Sequence, residues 1–126
     1  MRDILTKSDI ELLVDTFYGF LFADEEMSVF FKDIDFEHHK PRIVFFWSFV
    51  LLNEPGYTTN VFEKHVHMPL KPEHFDRWVM YFHKAVDQLF EGEIANDAKF
   101  RATTLGWTFK EKMKKIDLDR EKHNEL

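Results

Sequence analysis

The stretch FEKHVHMPLKPEHFDRW, residues 62–78, decides how this chain is organised. His65 lies before Pro69 on a segment that has room for only a short turn of helix. Pro72 then opens a longer helix, because the first helical turn tolerates a residue without a backbone N–H. That helix carries Trp78. The stretch therefore predicts a histidine-bearing turn that leads into a long aromatic helix.

Helical periodicity extends to both sides of this stretch. Ser8-Asp9-Ile10-Glu11 has the pattern of a capping box, and apolar residues follow it at three- and four-residue spacing. No strand-like alternation occurs, so the chain is predicted to be all-α. The predicted long helices start at Ser8, cover 36–52 with Pro41 in the first turn, run from Pro72 to Gly92, and run from about Ile94 to a frayed end after Asp117, with 118–126 as a tail; short helical turns are predicted within 24–31 and 61–65.

Composition and charge exclude several classes of function. A chain of 126 residues supports one domain, 1–126, with a single core. The net charge is −6 and no face concentrates lysine or arginine, so we expect no nucleic-acid partner. With no cysteine, the chain has no disulfide, thiolate metal site or cysteine nucleophile. The longest apolar run, 43–52, is far shorter than the ~20 residues of a membrane span, and no segment of signal-peptide type is present, which predicts a soluble cytoplasmic protein without a membrane partner.

The aromatic content suggests a flat guest in the core. The chain has 15 phenylalanines, more aromatic area than a short helical fold needs to close on itself. Composition alone, however, favours a phenylalanine-rich core with nothing inside it.

Tyr18 supplies a polar group on the apolar face of the first helix. It lies four residues from both Val14 and Phe22, so its hydroxyl is predicted to point inward. Gly19 in the helix interior would be explained by the close approach of another backbone or of a cofactor edge. A histidine, a tyrosine and a tryptophan in one phenylalanine-rich core suggest a buried iron cofactor. The alternative is an ordinary core tyrosine and tryptophan bonded to backbone groups.

A series of motifs follows in order along the chain: Phe17-Tyr18, Phe30, His39 with Pro41-Arg42-Ile43 and Phe46-Trp47, and His65-Val66-His67-Met68-Pro69 leading into the segment from Pro72 to Trp78. In this order the motifs resemble the group III branch of the truncated globins, from about Ser8 to Met113. No Gly-Gly pair is present, which separates this chain from the other truncated groups.

The resemblance implies a shortened globin fold, in which a two-over-two helical sandwich surrounds haem b. It implies His65 as the proximal iron ligand, Tyr18 and Trp78 as distal hydrogen-bond donors, and His39 as a residue at the distal mouth. The other haem contacts that it implies are Phe30, Arg42 near a propionate, Ile43, Phe46 and Trp47.

The function implied is binding of oxygen and other diatomic ligands at ferrous iron. Two distal donors would slow oxygen release, which favours nitric oxide detoxification or peroxidase-like chemistry supported by an unidentified reductase. A non-enzymatic gas-binding or sensing module is the alternative, and a haem-free helical protein is a third possibility.

The histidines leave one more alternative open. Without its flanking motif, His65 would be an exposed loop residue, and a zinc site could use His38, His39, His65 and His67. With His65 as the iron ligand, four histidines are expected to be solvated rather than functional: His67, His74, His83 and His123.

Overall fold

The computed structural model describes residues 1–57 and 70–124, with side chains up to 119. The predicted turn at 61–65, which contains His65, lies outside the described residues, and so does His67. No strand occurs within the described ranges, so the all-α prediction is confirmed. The helices are α1 (Lys7–Ala23), α2 (Glu25–Ser28), α3 (Phe36–Leu52), α4 (Pro72–Leu89) and α5 (Glu93–Asn124).

The start of α1 differs from the predicted one. Thr6 is the N-cap, and its hydroxyl accepts a hydrogen bond from the Asp9 N–H at 3.2 Å. The Asp9 carboxylate in turn accepts from the N–H groups of Leu5 and Thr6, at 2.9 and 3.0 Å. Asp9 therefore satisfies two backbone donors, and Ser8 lies inside the helix. The predicted box at Ser8 was wrong because Thr6-x-x-Asp9 is a competing pattern two residues upstream.

The ends of α3, α4 and α5 can be compared with the predicted ends. Both α3, at Phe36–Leu52, and the start of α4 at Pro72 are confirmed. Helix α4 ends at Leu89, before Gly92, which has a φ of 143° that favours glycine. Helix α5 continues to Asn124 instead of breaking near Asp117, since no glycine or proline follows Gly106 to interrupt it.

The helices stack as two pairs. Helix α1 packs against both α3 and α4, and α4 packs along α5, so the pair α1–α3 lies over the pair α4–α5. The shared core is formed mainly by α1, α3 and α4, with small alanines where α5 approaches. No helix within the described residues combines the length and the apolar character needed to cross a membrane. The fully buried large side chains include Phe17, Phe82, Ile4, Ile10, Leu13, Leu21, Met27, Val14 and Val86.

The N-terminal segment ties the first helix to the last. The Asp3 carboxylate accepts from the N–H groups of Ile94 and Ala95, at 2.9 and 2.8 Å, and so caps α5 from a distant part of the chain. Ile4, next to it, is fully buried. The relative position of α1 and α5 is thus held by both a cap and an apolar anchor.

Two helical glycines have opposite surroundings. Gly106 on α5 is buried, and a Cβ there would clash with a methyl group of Val79 and lie 3.7 Å from the Phe75 carbonyl oxygen. Gly19 on α1 is exposed, and a Cβ there would meet nothing within 4 Å among the described residues. No other backbone among the described residues approaches Gly19, and the close approach of two helices occurs at Gly106 instead.

We predict opposite stability changes for alanine at these two glycines. Gly106→Ala should lower the free energy of unfolding by about 1–2 kcal/mol, because overpacking costs more than the gain in helix propensity and Val79 has little χ1 freedom in a helix. Gly19→Ala should raise it by up to ~1 kcal/mol. Urea unfolding of both variants measures the difference. Equal effects would contradict the close packing of α4 on α5.

Candidate functional site

Tyr18 is buried in a cage of aromatic rings. It is 6% exposed, and its ring centroid lies 5.3 Å from that of Phe17 and 5.0 Å from that of Phe36. Phe22 and Phe31 lie at 6.0 and 5.7 Å. The inward orientation expected from the sequence is therefore correct. Burial raises the pKa of the Tyr18 hydroxyl well above its ordinary value, so the group stays protonated and remains a donor.

The Tyr18 hydroxyl has no hydrogen-bond partner among the described residues, since its environment there consists of ring contacts. A hydroxyl without a partner can donate to a ligand that enters the cage and accepts its hydrogen bond.

His39 reaches the edge of this cage from the first turn of α3. Its ring centroid lies 6.3 Å from that of Tyr18, with the two planes at 79°. The imidazole is half-buried, so it lies between the cage and the surface. His38, one residue earlier, points elsewhere and pairs with the Asp35 carboxylate at 3.1 Å. These two histidines therefore do not converge, as a zinc site would require.

Trp78 approaches from α4 and is separated from Tyr18 by a shared neighbour. Its centroid lies 5.4 Å from that of Phe17, which also contacts Tyr18 edge to face. Trp78 also stacks on Phe82 at 6.0 Å with an interplanar angle of 18°. The structure thus brings Tyr18, His39 and Trp78 to one aromatic cluster built from three helices.

The other predicted haem contacts on α3 lie in different environments, some buried in the core and one at the surface. Trp47 is 2% exposed and stacks on Phe82 at 4.6 Å. Ile43 and Phe46 are half-buried and pack against the core. Arg42 is exposed on the same helix. This gives α3 an apolar face toward the cluster and a cation near the surface.

Phe31 and Phe36 are the ring contacts of Tyr18 that the sequence did not single out. Phe30, which the resemblance selected as a wall residue, is half-buried and contacts the His74 ring at 4.8 Å. The adjacent pair Phe30-Phe31 signals an aromatic wall, but helical spacing cannot tell which ring turns toward Tyr18.

A polar network beside Trp78 was also missed. The Asp24 carboxylate accepts hydrogen bonds from the Tyr81 hydroxyl at 2.5 Å and from the Arg77 guanidinium at 3.2 Å. It also caps α2 through the N–H groups of Glu26 and Met27, at 2.9 and 3.0 Å. The hydrogen bond from the Tyr81 hydroxyl is the largest cause that lowers the pKa of the Asp24 carboxyl. The N–H groups of Met27 and Glu26 and the Arg77 charge lower this pKa further, and burial opposes the shift. The network ties α2 to the helix that carries Trp78.

Two histidines that were expected to be solvated are not. The side chain of His74 is only 12% exposed, and its Nδ1 accepts a hydrogen bond from the Lys71 N–H at 2.9 Å. His83 Nε2 lies 2.8 Å from the Thr103 hydroxyl and 3.0 Å from the Lys99 carbonyl oxygen. Both have structural roles at helix ends and helix contacts, which spacing alone does not reveal.

A profile of the bacterial-like globin family matches residues 3–106, most of the chain. The chain belongs to the bacterial-like globin family. This globin is 25% identical over 114 residues to the group 3 truncated hemoglobin ctb of Campylobacter jejuni, with 85% of this chain and 90% of that protein covered.

The fold of this bacterial-like globin also matches a solved structure. The match is the crystal structure of the group III truncated hemoglobin from Campylobacter jejuni, with a TM-score of 0.80 and 24% identity over 90% of this chain and 95% of that one. The shortened globin fold and the group III resemblance inferred from the sequence are confirmed.

Membership of this family implies a haem-binding protein, and the described residues fit a haem. The unpartnered hydroxyl of Tyr18 lies in an apolar cage, where it would be a donor for a bound ligand. The apolar face of α3 offers rings for a flat guest, and Arg42 offers a cation at the surface. His65, the predicted axial ligand, lies outside the described residues.

Proposed function

We propose that this globin holds haem b through His65 and binds oxygen and other diatomic ligands at the ferrous iron. The observation that supports this most is Tyr18, which is 6% exposed and whose hydroxyl has no partner among the described residues. Its ring centroid lies 6.3 Å from that of His39. Phe30, Ile43, Phe46 and Trp47 would wall the haem, and Arg42 would contact a propionate.

We further propose that the protein carries out redox chemistry on small molecules, either nitric oxide detoxification or peroxidase-like turnover. Haem supplies an iron that binds a diatomic ligand and shifts electron density onto it. The protein side chains then decide the outcome. The Tyr18 hydroxyl and the Trp78 indole N–H would donate to the negative end of the ligand, and the phenylalanine cage would keep water out.

The three polar residues of the cluster, Tyr18, Trp78 and His39, would have different roles. Tyr18 is the strongest candidate donor, because its hydroxyl is buried and its raised pKa keeps it protonated. Trp78 would add a second donor from α4, held in place by its ring contacts. His39, half-buried at the rim, would act at the mouth of the pocket.

Such chemistry leaves an oxidised protein that this chain cannot re-reduce by itself. Nothing in the sequence resembles a nicotinamide- or flavin-binding motif, such as a glycine-rich loop between strand and helix. Multiple turnover therefore requires a reductase as a partner, and we place the protein in the cytoplasm, where such reductases have access to it.

We predict a single fast turnover with nitric oxide. The oxygenated protein should consume about one equivalent and form nitrate, and should continue only when an electron donor is added. Trp78→Phe should slow this step by removing one donor while nearly preserving volume, whereas Trp107→Phe, at a 61% exposed site, should not. Stopped-flow spectra with nitrate analysis measure both.

Reversible binding of nitric oxide without nitrate, together with no spectral response to hydrogen peroxide, would overturn the redox function. The protein would then be a gas-binding or sensing module. An absence of haem from the purified protein would overturn the larger proposal as well.

A further inference from the structure

A row of five aromatic rings leads from the candidate haem pocket to the surface. Trp78 and Trp47 both stack on Phe82, at centroid distances of 6.0 and 4.6 Å and interplanar angles of 18° and 23°. Trp47 then meets Phe46 edge to face at 5.1 Å, and Phe46 meets Tyr57 at 5.4 Å. The row begins at Trp78, in the aromatic cluster that contains Tyr18 and His39, and ends at the half-buried Tyr57.

The order of residue types in this row is suited to electron transfer. Tryptophan and tyrosine are the side chains that lose one electron most readily in a protein without cysteine. Here they alternate with single phenylalanine rings, so each pair of oxidisable groups is separated by one ring in van der Waals contact. Because tunnelling rates fall exponentially with distance, a long transfer that is divided into such steps becomes fast.

Tyr57 is held at the outer end of the row by three rings of α3. Phe45, Phe46 and Phe49 lie 5.5, 5.4 and 5.8 Å from it, and Phe49 is 39% exposed. Gly56, with a φ of 99° that favours glycine, turns the chain so that Tyr57 can pack there. The phenol is thus anchored where a donor in solution can approach it.

We propose that Trp78, Trp47 and Tyr57 form a one-electron relay between the haem pocket and donors in solution. The relay rests on the peroxidase-like form of the proposed function, in which a hydroperoxide is the oxidant. It identifies the second substrate class as one-electron donors, such as phenols, that are too large to enter the pocket.

The electrons and protons of the relay balance. Hydrogen peroxide needs two electrons and two protons to become two waters, and the relay passes the electrons singly. Trp47 gives one electron to the oxidised pocket by way of Trp78, and Tyr57 restores Trp47 while releasing its phenolic proton to water. A phenol in solution then returns a hydrogen atom to Tyr57. Two phenols are oxidised to phenoxyl radicals for each peroxide.

The decisive experiment locates the radical in the holoprotein. The protein is mixed with hydrogen peroxide and a nitrone spin trap, digested, and mapped by mass spectrometry. We expect the adduct at Tyr57 to exceed that at Trp107 several-fold, although Trp107 is 61% exposed. Direct attack by dissolved peroxide would give the opposite order and would overturn the relay.

Conservative variants test the direction of transfer. Tyr57→Phe keeps the ring contacts and removes the oxidisable phenol, so oxidation of Trp47 and bleaching of the haem should rise several-fold while oxidation of a bulky phenol in solution falls several-fold. Tyr81→Phe is the matched control, since that tyrosine lies outside the row, and it should show neither change. Equal behaviour of the two variants would overturn the relay.

A second oxidant separates the relay from the proposed function. Protein reconstituted with zinc protoporphyrin is illuminated with a sacrificial electron acceptor, which oxidises the pocket without peroxide. Adducts at Tyr57 in this experiment, with no haem response to peroxide, would support the relay and overturn the peroxidase-like function. Peroxide consumption without adducts at Tyr57 under either oxidant would support that function and overturn the relay.

Discussion

His65→Ala is expected to yield a protein that has lost most of its haem. The His65 imidazole would supply the bond from the protein to the haem iron, and no cysteine exists to replace it. The absorption spectrum of the purified protein, with the ratio of haem to protein, measures the loss. Added imidazole should restore part of the binding, because it supplies the missing ligand to an otherwise intact pocket.

His67→Ala is the matched control for this experiment. Residues two apart on a helical turn face different directions, so His65 and His67 cannot both reach one iron. The His67 variant should keep its haem and its spectrum. Normal haem content in the His65 variant, or loss of haem in the His67 variant, would show that His65 is not the iron ligand.

Tyr18→Phe is expected to speed oxygen dissociation by roughly one to two orders of magnitude. A buried hydrogen bond to a charged group contributes about 1.5–3 kcal/mol, and each 1.36 kcal/mol is a factor of ten in rate. The substitution removes the oxygen atom and keeps the ring, so the contacts with Phe31 and Phe36 remain. Stopped-flow dissociation measures the rate.

Carbon monoxide supplies the control for Tyr18→Phe, because it carries less negative charge when bound and gains less from a donor. Its dissociation rate should change far less than that of oxygen. The raised pKa of Tyr18 adds a second check: in the wild-type protein, slow oxygen release should persist at alkaline pH, where an exposed tyrosine ionises. An unchanged oxygen rate in the variant would make Tyr18 a packing residue.

The sequence by itself determined the four long helices, apart from where α1 starts and α5 ends, and the family resemblance. The bounds of α3 and the start of α4 follow from proline positions and from apolar spacing, which act within a few residues of chain. The inward orientation of Tyr18 follows from the same spacing. These features are local, so neighbouring residues are sufficient to specify them. The order of motifs along the chain was likewise enough for the group III resemblance, which the fold match supports.

Only the tertiary structure decided which side chains meet across helices. It turned Phe31 rather than Phe30 toward Tyr18, placed the close helix approach at Gly106 rather than Gly19, and joined Asp24 to Tyr81. Each contact joins residues on different elements, and a small change in helix rotation or crossing angle exchanges one neighbour for another. Such contacts depend on the packing of the whole core, and no local pattern in the sequence specifies them.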